Sequence, residues 1–182
     1  MSEQSIKKST GLIHIYCGDG KGKTTAGMGL CARAAGSGLR VLIYQFMKDN
    51  STSERKVLKL SENITIVDGL PQEKFSFQMT AAEKEERKAY YENQFRAVTQ
   101  KASGAAYDVL FLDEIIYTIR AGLLDEALLI DFLKNKPAQL EVILTGQDPS
   151  PELIELADYV SEIKKVRHPF DKGVRARAGI ES

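Results

Sequence analysis

The 182-residue chain reads as an α/β protein: a mostly parallel sheet with helices on both faces. Three observations predict it. Short apolar runs of strand length alternate along the chain with helical patterns, so successive strands are joined by crossovers. A glycine-rich turn follows the first apolar run and leads straight into a helix. Apolar residues make up 43% and charged residues 27% of the chain, the balance of an ordinary globular domain. The length suits a single domain with a buried core.

The elements follow in order. Residues 12–17 read as a buried strand. After the glycine-rich turn, 23–35 form a helix of small residues, ended by Gly36 and Gly38. Residues 40–45 are a second strand, 51–60 a charged stretch of helical character, and 64–67 a short third strand. Residues 68–80, with Gly69, Pro71 and two Phe, form a loop. A long charged helix spans 81–102, with Glu83 four residues before Arg87 as a supporting pair. Residues 108–112 are a further strand. Asp125 caps a helix running to about 133, with Leu124 and Leu129 as a hydrophobic staple. Pro137 lies past its end. Residues 140–144 are a strand, Pro151 opens a helix through 157, and 159–163 are the last strand. Residues 1–10 form a flexible arm, and 164–182 a basic, irregular tail.

Composition narrows the function classes. Lys+Arg and Asp+Glu are 25 each. A formal charge of zero argues against a general nucleic-acid coat or a polybasic membrane binder. No apolar run approaches the ~20 residues of a membrane span, and the polar first ten residues lack a signal-peptide core. The expected compartment is the cytoplasm. Cys17 and Cys31 make neither a disulfide framework nor a zinc site and read as buried thiols. His14, inside a strand, reads as a core histidine. The chain has seven Phe, seven Tyr and no Trp.

Parallel sheets bind ligands at the carboxyl ends of their strands. After the first strand stands Gly18-Asp19-Gly20-Lys21-Gly22-Lys23-Thr24-Thr25. Glycines allow backbone N–H groups to converge on an anion, and the following helix adds its positive end. Lys23 can reach terminal phosphates and Thr24 can ligate Mg²⁺. The expected fold is therefore a P-loop, RecA-like domain. The usual G-x-x-x-x-G-K-[ST] spacing needs Gly where Cys17 stands, so this loop is one residue short and carries an extra Lys21. Further on, Val109-Leu110-Phe111-Leu112-Asp113-Glu114 is a strand ending in two acids. One of Asp113 and Glu114 holds Mg²⁺, directly or through water; the spacing does not choose between them.

These residues resemble the P-loop ATP:corrinoid adenosyltransferases over nearly the whole chain. The loop is similar to the family's G-N-G-K-G-K-T-T. Tyr44-Gln45-Phe46-Met47-Lys48 resembles its V-Q-F-I-K, and Leu112-Asp113-Glu114 with Tyr117 its L-D-E-x-x-Y. Leu144-Thr145-Gly146, the stretch 152–158, and His168-Pro169-Phe170 with Gly173, Ala176 and Gly179-Ile180-Glu181 match as well.

The resemblance implies a reaction: transfer of the 5′-deoxyadenosyl group of ATP to the cobalt of a reduced corrinoid, releasing triphosphate, in cobalamin synthesis or salvage. It implies ATP and Mg²⁺ (or Mn²⁺), a corrinoid substrate, a homodimer, and a reduced flavin or flavoprotein as electron source. Nucleotide contacts are then Gly18 through Thr25, with Lys21 and Lys23 stabilising the departing triphosphate and Thr24, Asp113 and Glu114 serving the metal. Arg33 matches a family Arg and either contacts nucleotide or pairs at the helix surface. Phe75 and Phe77 match an F-x-W element that crowds one face of the corrin and eases reduction; Phe77 stands where Trp is usual. His168 is not assigned to cobalt, because the chemistry needs an open axial face.

Asp19 replaces the family Asn, and Gln147 a usual Arg. The six basic residues of 164–177 form either solvated surface or a cover over triphosphate and corrin side chains. Two other readings stay open: a P-loop ATPase or kinase making ADP, and a non-catalytic corrinoid- or nucleotide-binding paralogue.

Overall fold

The computed structural model describes residues 10–74, 76–104 and 106–180. Six strands form one sheet: β1 (Ile13–Cys17), β2 (Val41–Gln45), β3 (Ile64–Ile66), β4 (Val109–Asp113), β5 (Glu141–Thr145) and β6 (Tyr159–Glu162). Their order is β3-β2-β4-β5-β1-β6, and every neighbouring pair is parallel. The expected α/β class and helix-linked crossovers are present. β5 lies between the strand that feeds the glycine loop and the strand that ends in Asp113.

The helices are α1 (Lys23–Gly36), α2 (Glu54–Leu58), α3 (Ala81–Ser103), α4 (Ile115–Arg120), α5 (Glu126–Asn135) and α6 (Pro151–Leu156). Side chains alternate across a strand, so each central strand feeds two cores. Val41, Ile43, Val109, Phe111 and Ile143 pack with Met28, Cys31 and Ala34 of α1. Leu42, Tyr44, Leu110, Leu112, Val142 and Leu144 pack with Tyr91 and Phe95 of α3 and with residues of α4 and α5. Both faces of β2 and β4 are covered, which is why they read as continuous apolar runs. Gly27 allows α1 to lie close: a Cβ there would stand 2.4 Å from Phe111 Cζ. Cys17 and Cys31 are buried free thiols.

Three local details differ from the sequence reading. The run after Asp113 forms α4, too short for a periodic signal. Glu83 does not pair with Arg87. It bonds Lys74 Nζ at 2.7 Å and closes a capping box with Thr80 at the start of α3. The Lys74 bond, then the Thr80 N–H, hold its carboxyl down to about 2. Arg87 turns to Glu73 instead. The tail is also less irregular than expected, since Pro169–Lys172 forms a 3-10 turn. Asp125 does cap α5, accepting from Ala127 N–H at 3.0 Å, and both staple leucines are buried.

Candidate functional site

The carboxyl ends of β1, β2 and β4 open onto a cleft of about 1030 Å³, at the upper end of the size range of small-molecule pockets. Residues 19–25 of the glycine loop line one side. Residues 47–49 and 51–54, Val57, Glu73 and Lys74 line another, and the tail residues 168–170 and 174–176 close it. Gly18 has φ 103°, and a Cβ on it would meet Ile163 O at 2.4 Å, so only glycine fits this turn. The loop is anchored to the chain beyond β6: Gly20 N–H donates to Ile163 O at 2.7 Å, and Lys165 N–H donates to Asp19 Oδ1 at 2.8 Å. That second bond is the main cause that holds the exposed Asp19 carboxyl below its usual range. The carboxylate has a backbone partner of its own, so it ties loop to tail.

Lys23, at the start of α1, donates to Gly20 O at 2.9 Å. Thr24, one residue on, reaches across the sheet edge to Asp113, donating to Oδ1 at 2.9 Å. The loop and the acidic strand end, 89 residues apart, are thus brought together as expected. Asp113 is fully buried and accepts four bonds. Thr24 and Thr145 (2.7 Å) donate to Oδ1; Gln45 Nε2 (3.1 Å) and Lys48 Nζ (2.8 Å) donate to Oδ2. The register makes this possible, because Gln45 is the cross-strand partner of Asp113. Thr145 Oγ1 in turn accepts from Glu114 N–H at 2.8 Å, and Thr24 Oγ1 accepts from Lys48 Nζ at 3.0 Å. Each hydroxyl has one proton and gives it to Asp113, so the Asp113 carboxyl oxygens serve as acceptors for all four groups.

Glu114 differs from its neighbour. It lines the cleft, is half-buried, and its carboxylate makes no hydrogen bond or ion pair with the described residues. Burial first, then the Asp113 charge, push its carboxyl above the usual range. It sits at φ 60°, in the left-handed region; Met47 (φ 52°) and Asp148 (φ 50°) do so beyond β2 and β5. Such residues cost about 1–2 kcal/mol each. Their gathering at one edge of one sheet is the kind of strain found at functional sites.

The donors here suit a hard divalent cation. Two adjacent carboxylates, one without a partner among the described residues, stand with a threonine hydroxyl beside the glycine loop, and Mg²⁺ is usually held by one or two carboxylates plus substrate phosphates. Among the described residues there is no cluster of three or more His, Cys, Asp or Glu that could hold a metal ion.

Not every expected residue arrives here. Arg33 lies in the last turn of α1, ten residues and about 15 Å along the helix from Lys23. It lines a separate small pocket of about 200 Å³ with Leu30, Leu39 and Glu141. Phe75 lies outside the described residues. Phe77 sits on the 3-10 turn Ser76–Gln78, is 76% exposed, and does not line the cleft. His168 Nδ1 accepts from Phe170 N–H at 3.1 Å, capping the turn. His14 bonds Glu141 at 2.5 Å near the opposite edge of the sheet, a satisfied histidine as expected.

A family model described as ATP:corrinoid adenosyltransferase BtuR/CobO/CobP matches residues 9–182. The chain belongs to that family. It is similar to the corrinoid adenosyltransferase of Escherichia coli K12, at 32% identity over 94% of this chain and 85% of that one. It is also similar to the corrinoid adenosyltransferase CobA of Salmonella typhimurium LT2, at 33% identity over 96% and 87%. Among solved structures, a KaiC-like protein from Pyrococcus horikoshii OT3 aligns with a TM-score of 0.47 and 18% identity, over 85% of this chain and 73% of that one, a loose likeness of fold alone. The glycine loop and the Asp113–Glu114 strand end both fall within the matched residues of this corrinoid adenosyltransferase family member. None of its described helices is long and apolar enough to cross a membrane.

Lys48, Gln45 and Thr145 were not singled out as site residues from the sequence. Two signals were available: all three stand in segments that match family motifs, and Lys48 lies just past the carboxyl end of a central strand, where ligands bind in such sheets.

Proposed function

We propose that this cleft binds ATP with a divalent cation and a reduced corrinoid, and transfers the 5′-deoxyadenosyl group to cobalt. The observation that carries the reading is the convergence of Thr24, Lys48, Asp113 and Glu114 beside the glycine loop, in a cleft larger than a triphosphate needs. Met28, Val57, Phe170, Val174 and Ile180 give that cleft an apolar wall suited to a nucleoside or a corrin edge.

Reduced cobalt is itself the nucleophile. Its electron pair forms the bond to C5′ while the C5′–O bond breaks and its electrons leave with triphosphate. No side chain has to remove a proton. The protein's work is to hold C5′ in line with cobalt and to meet the charge growing on the leaving group. Backbone N–H groups of 18–25, Lys21 and Lys23 serve the triphosphate. Thr24 and Glu114 are assigned to Mg²⁺ or Mn²⁺ directly. Asp113, with all its acceptor positions engaged, orients Thr24 and Lys48. The cation, when bound, neutralises phosphate charge. Arg175 of the tail lines the same cleft and supports the covering role of 164–177. A homodimer and a reduced flavoprotein donor rest on the family resemblance, and a cytoplasmic setting rests on the sequence pattern.

Phe77 is assigned to the reduction step. Phe77→Ala should leave turnover of pre-reduced Co(I) corrinoid within about twofold of the original. It should slow turnover of Co(II) corrinoid with reduced flavin about tenfold, the equivalent of about 1.4 kcal/mol of lost apolar contact. The readout is the absorbance of the light-sensitive Co–C bond. Equal loss with both substrate forms contradicts the assignment, and no Co–C product under strong reductant contradicts the function.

A further inference from the structure

We propose that Arg55 is a positioning residue for the metal–triphosphate end of the cleft, acting through Gln45 on Asp113. The proposal rests on the reading above of what Asp113 and Thr24 do.

Arg55 lies in α2, a helix of only five residues, yet is 2% exposed, while Val57 two positions on is 69% exposed. Its guanidinium reaches inward. One arm bonds the Asp68 carboxylate, and the other donates to Gln45 Oε1 at 3.1 Å. Thr52 Oγ1 donates to the same oxygen at 3.2 Å. A guanidinium has donors only, so Gln45 must turn its oxygen toward Arg55. Its amide nitrogen is thereby aimed the other way, at Asp113 Oδ2, 3.1 Å distant. The reverse amide orientation would set N–H against guanidinium on one side and oxygen against carboxylate on the other.

Arg55 therefore decides which way a buried relay runs: Arg55 to Gln45, Gln45 to Asp113. Asp113 is then held from four directions, and the Thr24 hydroxyl is held with it. Arg55 Nε is buried without a hydrogen-bond partner among the described residues, and a buried guanidinium is a cost that an apolar side chain would avoid. Ordinary packing does not explain its presence; orientation of Gln45 does. The relay also joins two walls of one site. Residues 51–54 and Val57, on and just before α2, line the cleft, so Arg55 ties that wall to the acid on β4.

The test measures binding of Mn²⁺–ATP without corrinoid, from the water-proton relaxation enhancement that added protein gives over Mn²⁺–ATP alone, with thermal unfolding in parallel. Removing a group that orients a metal ligand typically costs ten- to hundredfold in metal affinity. Arg55→Met and Gln45→Met should each weaken binding by about tenfold or more. The double variant should be no weaker than the poorer single one, because both break one relay. Arg55→Lys, which keeps the charge but loses the fork, should fall between original and Arg55→Met. Losses that multiply in the double variant, or an Arg55→Met affinity unchanged beside a normal decline in Gln45→Met, overturn the proposal. If Arg55→Met does not fold, an unchanged affinity in Gln45→Met overturns it alone. A wild-type protein that binds no Mn²⁺ with ATP overturns the reading of the site itself, and is distinguished by that control.

Discussion

Lys23→Met should lower adenosyl transfer about 100- to 1,000-fold with the fold intact. Loss of one preorganised donor to a developing negative charge costs about that much. Lys23 stands at the first turn of α1, where its ammonium meets both the loop carbonyl of Gly20 and any phosphate held by the loop. Its present contact lies within that loop, so unfolding should change little. Lys21→Met should cost far less, about tenfold by loss of a screened charge, because Lys21 is exposed. Single-turnover rates with saturating pre-reduced corrinoid compare the two. Equal losses would contradict the division between a positioned and a diffuse charge.

Asp113 and Glu114 should separate stability from metal binding. Asp113→Ala leaves Thr24, Thr145, Gln45 and Lys48 without their shared, fully buried acceptor. Removing one partner of a buried charged pair costs about 3–5 kcal/mol, a large share of the 5–15 kcal/mol typical of a domain. The urea midpoint should fall steeply, and activity with it. Glu114→Gln removes a carboxylate that no described residue partners and whose charge burial already disfavours. Its stability should be unchanged or slightly raised at neutral pH, while Mn²⁺ affinity falls. The sign follows from the shift: a carboxyl raised in the folded state opposes folding above its unfolded value, and the substitution removes that opposition. Urea titration beside Mn²⁺ titration of both variants checks the split. A Glu114→Gln protein as unstable as Asp113→Ala would contradict it.

Much of this was readable in the chain. The continuous apolar runs announced strands covered on both faces. The strand–loop–helix setting of Gly18 to Thr25 was legible, because its glycines and its Gly-Lys-Thr ending call for a helix N-terminus behind them. What stayed hidden depends on convergence. Gln45, Lys48 and Thr145 meet at Asp113, and Arg55 reaches it through Gln45, only because β2, β4 and β5 lie side by side in register, and strand order is not written in any one segment. Arg55 was not singled out, since a short charged stretch gives no sign that one side chain turns inward. The Glu83–Arg87 pair had correct helical spacing, but nearer partners at Lys74, Thr80 and Glu73 competed for both. Arg33 had the family's residue type, and helix geometry carried it away from the loop.

The most direct test is the fate of the phosphate chain. Protein, MgATP and chemically reduced cobalamin are incubated in the dark and the products followed by ³¹P NMR. Attack at C5′ predicts intact tripolyphosphate, rising in step with the Co–C absorbance and absent without corrinoid. ADP and inorganic phosphate in its place, with or without corrinoid, would contradict adenosyl transfer at this site.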